Sequence, residues 1–256
     1  MSVRVEKRGP VTVVTLDRPE VRNAVDTEHA KALHAAFLAF DADPDAAVAV
    51  LHGTGGTFCA GADLKAVSGG TMEVAPPTGA DDDLGPMGPT RLRLTKPVIA
   101  AVEGYAVAGG LELALWCDLR VADPGATFGV FCRRWGIPLI DGGTIRLGEL
   151  IGRSRALDLV LTGRPVDAAE ALGSGLVNRV SEPGEALDAA IELATRVAAF
   201  PQACLRSDRA SLLGSAGRPE ADALAEEWRL GEAVLIEAMT GAGRFAEGAG
   251  RHGAGA

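Results

Sequence analysis

The sequence predicts an α/β fold that gives way to helices alone towards its C-terminal end. Three observations carry this. Short apolar runs at Val48-Ala49-Val50-Leu51 and Pro97-Val98-Ile99-Ala100-Ala101-Val102 read as buried strands, because they are brief, partly β-branched and followed closely by glycine. Between such runs, apolar residues recur at three- and four-residue steps, the period of an amphipathic helix. Beyond Glu185 only helical periods remain, so alternating elements are followed by a helical part.

In chain order, residues 3–16 alternate apolar with polar and predict a hairpin turned at Gly9-Pro10. Asp17-Arg18-Pro19-Glu20 breaks it. Asp26 is placed to N-cap a helix whose buried stripe is Ala30, Leu33, Phe37 and Phe40. The strand at 48–51 opens at once into His52-Gly53-Thr54-Gly55-Gly56-Thr57. Residues 68–90 are rich in Gly, Pro and Asp and read as a long, mobile loop, which in a compact domain is functional or disordered. The strand at 97–102 leads past Gly104, Gly109 and Gly110 into a short helix at 111–117, then a strand at 119–122. We expect helices at 145–161 and 167–172, a strand at 177–180, and long amphipathic helices at 185–200 and 221–239. The Gly- and Ala-rich tail from Gly241 is expected to fray.

Bulk properties narrow the function. The chain has 256 residues, 47 % of them hydrophobic and 23 % charged, as expected of a globular enzyme with a full core. Its net charge of -9 argues against nucleic acid or an anionic membrane as partner. Cys59, Cys117, Cys132 and Cys204 form no CxxC pair and have no histidine at zinc-like spacing, so no metal site is expected. Residues 1–10 lack the apolar run of a signal peptide, and no stretch approaches a membrane span. The expectation is a cytoplasmic protein with reduced thiols. His29, His34, His52 and His252 sit in no constellation.

Two segments could carry chemistry. Phe58-Cys59-Ala60-Gly61-Ala62-Asp63-Leu64-Lys65 follows a buried strand, and its small residues let a ligand approach backbone N–H groups closely. By itself this is equally a tight strand-to-helix turn. It is not a nucleotide-binding P-loop, since no Gly-Lys-Ser/Thr follows the glycines. The second segment is Glu103-Gly104-Tyr105-Ala106-Val107-Ala108-Gly109-Gly110-Leu111-Glu112-Leu113. Here a strand runs through two glycines into a helix whose first N–H groups are free. Glu112 in the first turn either complements the helix dipole or moves protons beside a bound carbonyl.

Ala60-Gly61-Ala62-Asp63-Leu64-Lys65 and Gly109-Gly110-Leu111-Glu112-Leu113 together resemble the crotonase superfamily, also called the enoyl-CoA hydratase/isomerase family. Arg18-Pro19 with Asn23-Ala24, the run Lys96 to Gly104, and Cys117-Asp118 agree with it, as do residues 147–152, 156–162 and 168–180. The resemblance spans about residues 3–200. It implies a spiral of ββα turns over residues 1–200 and a helical C-terminal region, 201–256, that builds trimers, often paired into hexamers. It implies an acyl- or enoyl-CoA substrate, no cofactor, and an enolate held by the backbone N–H groups of Ala62 and Gly109. By the same resemblance, Ala60, Ala62, Asp63, Leu64 and Gly109 border the coenzyme A moiety, with Arg22 and Lys65 as candidates for its phosphates. The loop at 68–90 shapes the acyl pocket.

The chain also departs from the family pattern. Hydratases use two glutamates; one matches Glu112, the other falls at Cys132, and a thiol does not replace a carboxylate without a large change in pKa. Cys132 is read as a small buried hydrophobe, with a nucleophilic thiol as the alternative. Asp141 matches an aspartate of family members that isomerise dienoyl-CoA, and by that likeness is the second acid/base group; its competing use is as a helix N-cap. Trp135 is a candidate pocket residue or plain packing. Arg133 and Arg134 are read as surface or subunit-contact residues, or as partners of a catalytic carboxylate. The expected activity is that of an enoyl-CoA hydratase or an enoyl/dienoyl-CoA isomerase. The alternatives are a CoA-binding scaffold that has lost the reaction and a thioester hydrolase.

Overall fold

Valine on alternate positions builds the first hairpin, β1 (Val3–Arg8) and β2 (Val11–Leu16), paired antiparallel with Val3 opposite Leu16 and turned at Gly9, φ +60°. The computed structural model describes residues 2–247. Asp26 caps α1 (Thr27–Ala42) by accepting from His29 N–H at 3.0 Å, as expected of a short side chain competing for the free amides of a first turn. The inward stripe of α1 buries Leu33, Phe37 and Phe40, and Phe37 packs edge-on against Trp116 at 4.8 Å.

A repeating path follows. Strand β3 (Val48–Gly53) turns a corner, Cys59 bridges to Ala106, and α2 (Leu64–Ser68) closes the turn. Strand β4 (Val98–Val102) turns into β5 (Tyr105–Val107) and α3 (Gly109–Trp116). Then β6 (Leu119–Ala122) turns into β7 (Thr127–Gly129), followed by a 3-10 turn (Phe131–Trp135) and α4 (Gly143–Ile151). Each turn gives its first strand to one sheet and its second to another. After α5 (Arg153–Thr162) come β8 (Val166–Asp167), α6 (Ala168–Ser174), β9 (Arg179–Val180) and α7 (Ala186–Ala198). The larger sheet has the order β1-β2-β3-β4-β6-β9, parallel beyond the first hairpin; the smaller has the order β5-β7-β8. Strands buried on both sides explain why β3 and β4 read as continuous apolar runs.

Several boundaries differ from expectation. The helix expected at 145–161 is two, broken at Gly152, whose φ of +79° and ψ of 152° lie outside any helix. The strand expected at 177–180 is reduced to β9. The C-terminal part holds α8 (Gln202–Ser215), which was not foreseen. It is followed by α9 (Glu220–Glu232) and α10 (Leu235–Ala246) where a single helix was expected. Helix α10 runs through Gly241 and Gly243, so fraying does not begin there; the tail from 248 onward lies outside the described residues. The chain divides into two units, one ending at Ala194 and one beginning at Thr195.

Candidate active site

Two backbone corners meet at the site. The first, after β3, is tied down by hydrogen bonds from Cys59 N–H to Tyr105 O (2.9 Å), Ala60 N–H to Arg22 O (3.0 Å) and Asp63 N–H to Val25 O (2.8 Å). The second follows β5. Ala108 donates its N–H to Gly129 O at 2.9 Å, and its φ of +53° then swings the chain into α3. That conformation costs a residue with a side chain on the order of 1–3 kcal/mol and persists only where its surroundings hold it. The corners touch at glycines. A Cβ on Gly110 would lie 2.0 Å from Cys59 O, and one on Gly61 would lie 2.9 Å from Gly109 N. Between them stand the N–H groups of Ala62 and Gly109, which donate to no protein acceptor among the described residues. Gly109 is the first residue of α3, so the positive end of the helix adds to its amide.

Glu112, in the first turn of α3, is only 2 % exposed. Its Oε1 accepts from Asp141 N–H (2.8 Å) and Gly143 N–H (2.9 Å). A Cβ on Gly143 would lie 2.7 Å from Glu112 Cγ, so only glycine lets α4 begin this close. Burial first, then the charge of Asp141, pushes the Glu112 carboxyl up to about 7, against the pull of its two backbone donors and Arg146. Asp141 is 3 % exposed. Its Oδ1 accepts from Met87 N–H at 3.0 Å and from the Thr90 hydroxyl. Burial raises it as well, opposed by those two donors and by Arg91 and Arg146. Each carboxylate is thus anchored through one oxygen. The other oxygen has no protein donor among the described residues.

Both carboxylates and both free amides border one cavity of about 400 Å³. Its remaining wall is apolar, with Met72, Val74, Pro86 and Met87 from the loop at 68–90 facing Phe131 and Ile140. The loop itself is tied to Arg91, whose Nη1 donates to Ala75 O (2.9 Å) and Leu84 O (3.3 Å); Gly and Pro content had suggested mobility.

The residues singled out from the sequence divide as follows. Ala60, Ala62, Leu64, Gly109, Glu112, Cys132, Trp135 and Asp141 all border the cavity. Cys132 is buried, and burial together with the Glu112 charge holds its thiol above the ordinary range, hence neutral. Trp135 is 70 % exposed at the cavity edge, not packed in the core. Asp141 is no helix cap: the residue before α4 is Gly142, and the Asp141 side chain bonds Met87 and Thr90. Asp63 N-caps α2 through Lys65 and Ala66 N–H and faces Arg18 at 3.5 Å. Arg22 and Lys65 are exposed, Arg22 at the Ala60 corner and Lys65 on α2. Arg133 and Arg134 do not pair with either carboxylate; they donate to Val160 O and Gly163 O. Sequence reasoning missed Thr90 and Arg146. Thr90 lies in an aperiodic stretch with no signal. Arg146 was not singled out, although the Gly142-Gly143 pair ahead of it marks a close approach.

Known proteins resemble the chain in sequence and in fold. The sequence pattern of the enoyl-CoA hydratase/isomerase family matches residues 6–249. A Mycobacterium tuberculosis protein named enoyl-CoA hydratase EchA19 is 39 % identical over 252 residues, covering 95 % of this chain and 92 % of that one. A carnitinyl-CoA dehydratase of Salmonella arizonae is 43 % identical over 201 residues, covering 77 % of this chain and 74 % of its own. The crystal structure of enoyl-CoA hydratase EchA1 from Mycobacterium marinum superposes with a TM-score of 0.89 at 38 % identity, covering 96 % of each chain.

Proposed function

The chain belongs to the enoyl-CoA hydratase/isomerase family, and we propose that it hydrates a 2-enoyl-CoA or shifts the double bond of an enoyl- or dienoyl-CoA. The observation that carries this is the pair of unengaged amides, Ala62 and Gly109, beside two carboxylates that each keep one oxygen free on the same cavity. The thioester oxygen accepts from the two amides. Negative charge gathers on that oxygen as the enolate forms, and each fixed donor contributes roughly 3 kcal/mol to holding it. The electron sink is the thioester itself, so the chemistry needs no cofactor.

Glu112 and Asp141 are the proton-moving groups in this reading. In hydration, the Asp141 carboxylate takes a proton from water as the water oxygen bonds to C3, and protonated Glu112 then supplies C2. In isomerisation, one carboxylate removes a proton at one carbon and the other returns one elsewhere along the chain. Cys132 at the position of a second hydratase glutamate favours isomerisation. The apolar wall favours an apolar acyl group. Arg22 and Lys65 are the proposed partners of the coenzyme A phosphates. No described helix is long and apolar enough to cross a membrane, and we place the protein in the cytoplasm.

The test is mass spectrometry of a panel of 2-enoyl-, 3-enoyl- and dienoyl-CoA thioesters incubated with the protein in heavy water. A gain of one water, or deuterium uptake with a moved double bond, is the expected result. A panel that binds and stays unchanged would leave the scaffold reading; release of free coenzyme A would indicate a thioester hydrolase.

A further inference from the structure

We propose that Thr90 is a positioning residue: its hydroxyl, fixed in place by Arg146, holds Asp141 as the ionised partner of Glu112. This rests on Asp141 being the second proton-moving group.

Thr90 is 1 % exposed, so water does not compete for its hydroxyl. That hydroxyl meets Asp141 Oδ1, the oxygen that also receives Met87 N–H. Arg146 builds the arrangement. Its Nη1 donates to Asp141 O at 2.8 Å and its Nη2 to Thr90 O at 2.7 Å. One rigid, planar guanidinium therefore spans residues 90 and 141 and fixes their separation. The same clamp presents Asp141 N–H to Glu112 Oε1. Residue 90 thus comes under the control of α4, although it lies more than fifty residues away in sequence.

A hydroxyl donated to a carboxylate is stronger than one donated to a neutral acid. Two carboxylates this close disfavour being charged together, and a donor present on one of them decides which keeps the charge. The charged and titratable groups facing the pair are few: Glu112 from α3, Arg146 from α4, and Arg91 from the turn that carries Thr90, with the neutral Cys132 thiol beside Glu112. Beside these, the Thr90 hydroxyl is the side-chain donor that meets Asp141 and not Glu112, on the same oxygen as the Met87 backbone N–H.

The experiment compares Thr90→Val, which deletes the hydroxyl at constant volume, with Thr90→Ser, which keeps it. Thr90→Ala replaces the valine variant should that fail to fold. Infrared difference spectra over a pH titration follow the carboxyl bands, assigned by their loss in Asp141→Asn and Glu112→Gln. Turnover of 2-octenoyl-CoA is measured alongside. Loss of the hydroxyl is expected to raise the pH at which Asp141 ionises by about one unit or more. It should also lower kcat about tenfold with KM nearly unchanged, and serine should restore both. An unchanged Asp141 band and kcat in Thr90→Val, with Asp141→Asn inactive, would overturn the role of Thr90 and leave that of Asp141. Wild-type turnover in Asp141→Asn would overturn both.

Discussion

Glu112 binds its proton more tightly in the folded chain than in the unfolded one, because folding removes it from water and sets it beside Asp141. The folded chain therefore loses stability as pH rises from 4.5, the ordinary value, towards about 7. The shift corresponds to about 3 kcal/mol across that window. Glutamine keeps the acceptor for Asp141 and Gly143 N–H but carries no charge. Denaturant titrations at pH 5 and pH 8 are expected to show wild type losing more stability at the higher pH than Glu112→Gln. Parallel losses would mean that Glu112 titrates as an ordinary exposed acid. Glu112, Ala62 and Gly109 were singled out through family likeness, since each segment read alone fitted a plain turn or a helix dipole equally well; the structure sets all three on one cavity. Thr90 and Arg146 were not. Their roles depend on contacts across more than fifty residues, and no spacing along the chain encodes those.

At the scale of elements, the site depends on α3 lying directly against the corner after β3. Gly110 permits that contact, with Cys59 O filling the place of a side chain. Gly110→Ala is expected to push the helix away, part the two free amides, and lower both turnover and melting temperature. Gly148→Ala in α4 is the control. It meets open space and replaces a poor helix former with a good one, so it should be neutral or stabilising by about 1 kcal/mol. Equal behaviour of the two variants would contradict the close approach. Strands β1 to β4, β6 and α1 could be read from period, apolar runs and caps, since their signals are short-range. The break at Gly152 and the one between α9 and α10 could not, because the apolar period continues across both.

For the whole molecule, helices α9 and α10 bury none of their residues, and Leu224, Trp228, Ile236, Met239 and Phe245 stand exposed. Apolar faces of this kind mark contact surfaces. We propose that further copies of this chain cover them, in the trimer or pair of trimers that likeness to the family implies. Light scattering is expected to give a multiple of three chains, and Ile236→Asp to weaken the assembly; a monomeric wild type would refute it. The helical character of this part was plain from sequence, whereas the ββα repeat emerged only from family likeness, since its second strands are three residues long and carry no period. The central claim is that Glu112 moves a proton on a thioester whose oxygen rests on Ala62 and Gly109. Deuterium incorporation from heavy water into a bound enoyl-CoA, measured with wild type and Glu112→Gln at matched occupancy, tests it most directly. The account predicts rapid incorporation by wild type and a loss of at least about a hundredfold in the variant, with ligand affinity retained. Equal incorporation by the two proteins would contradict it.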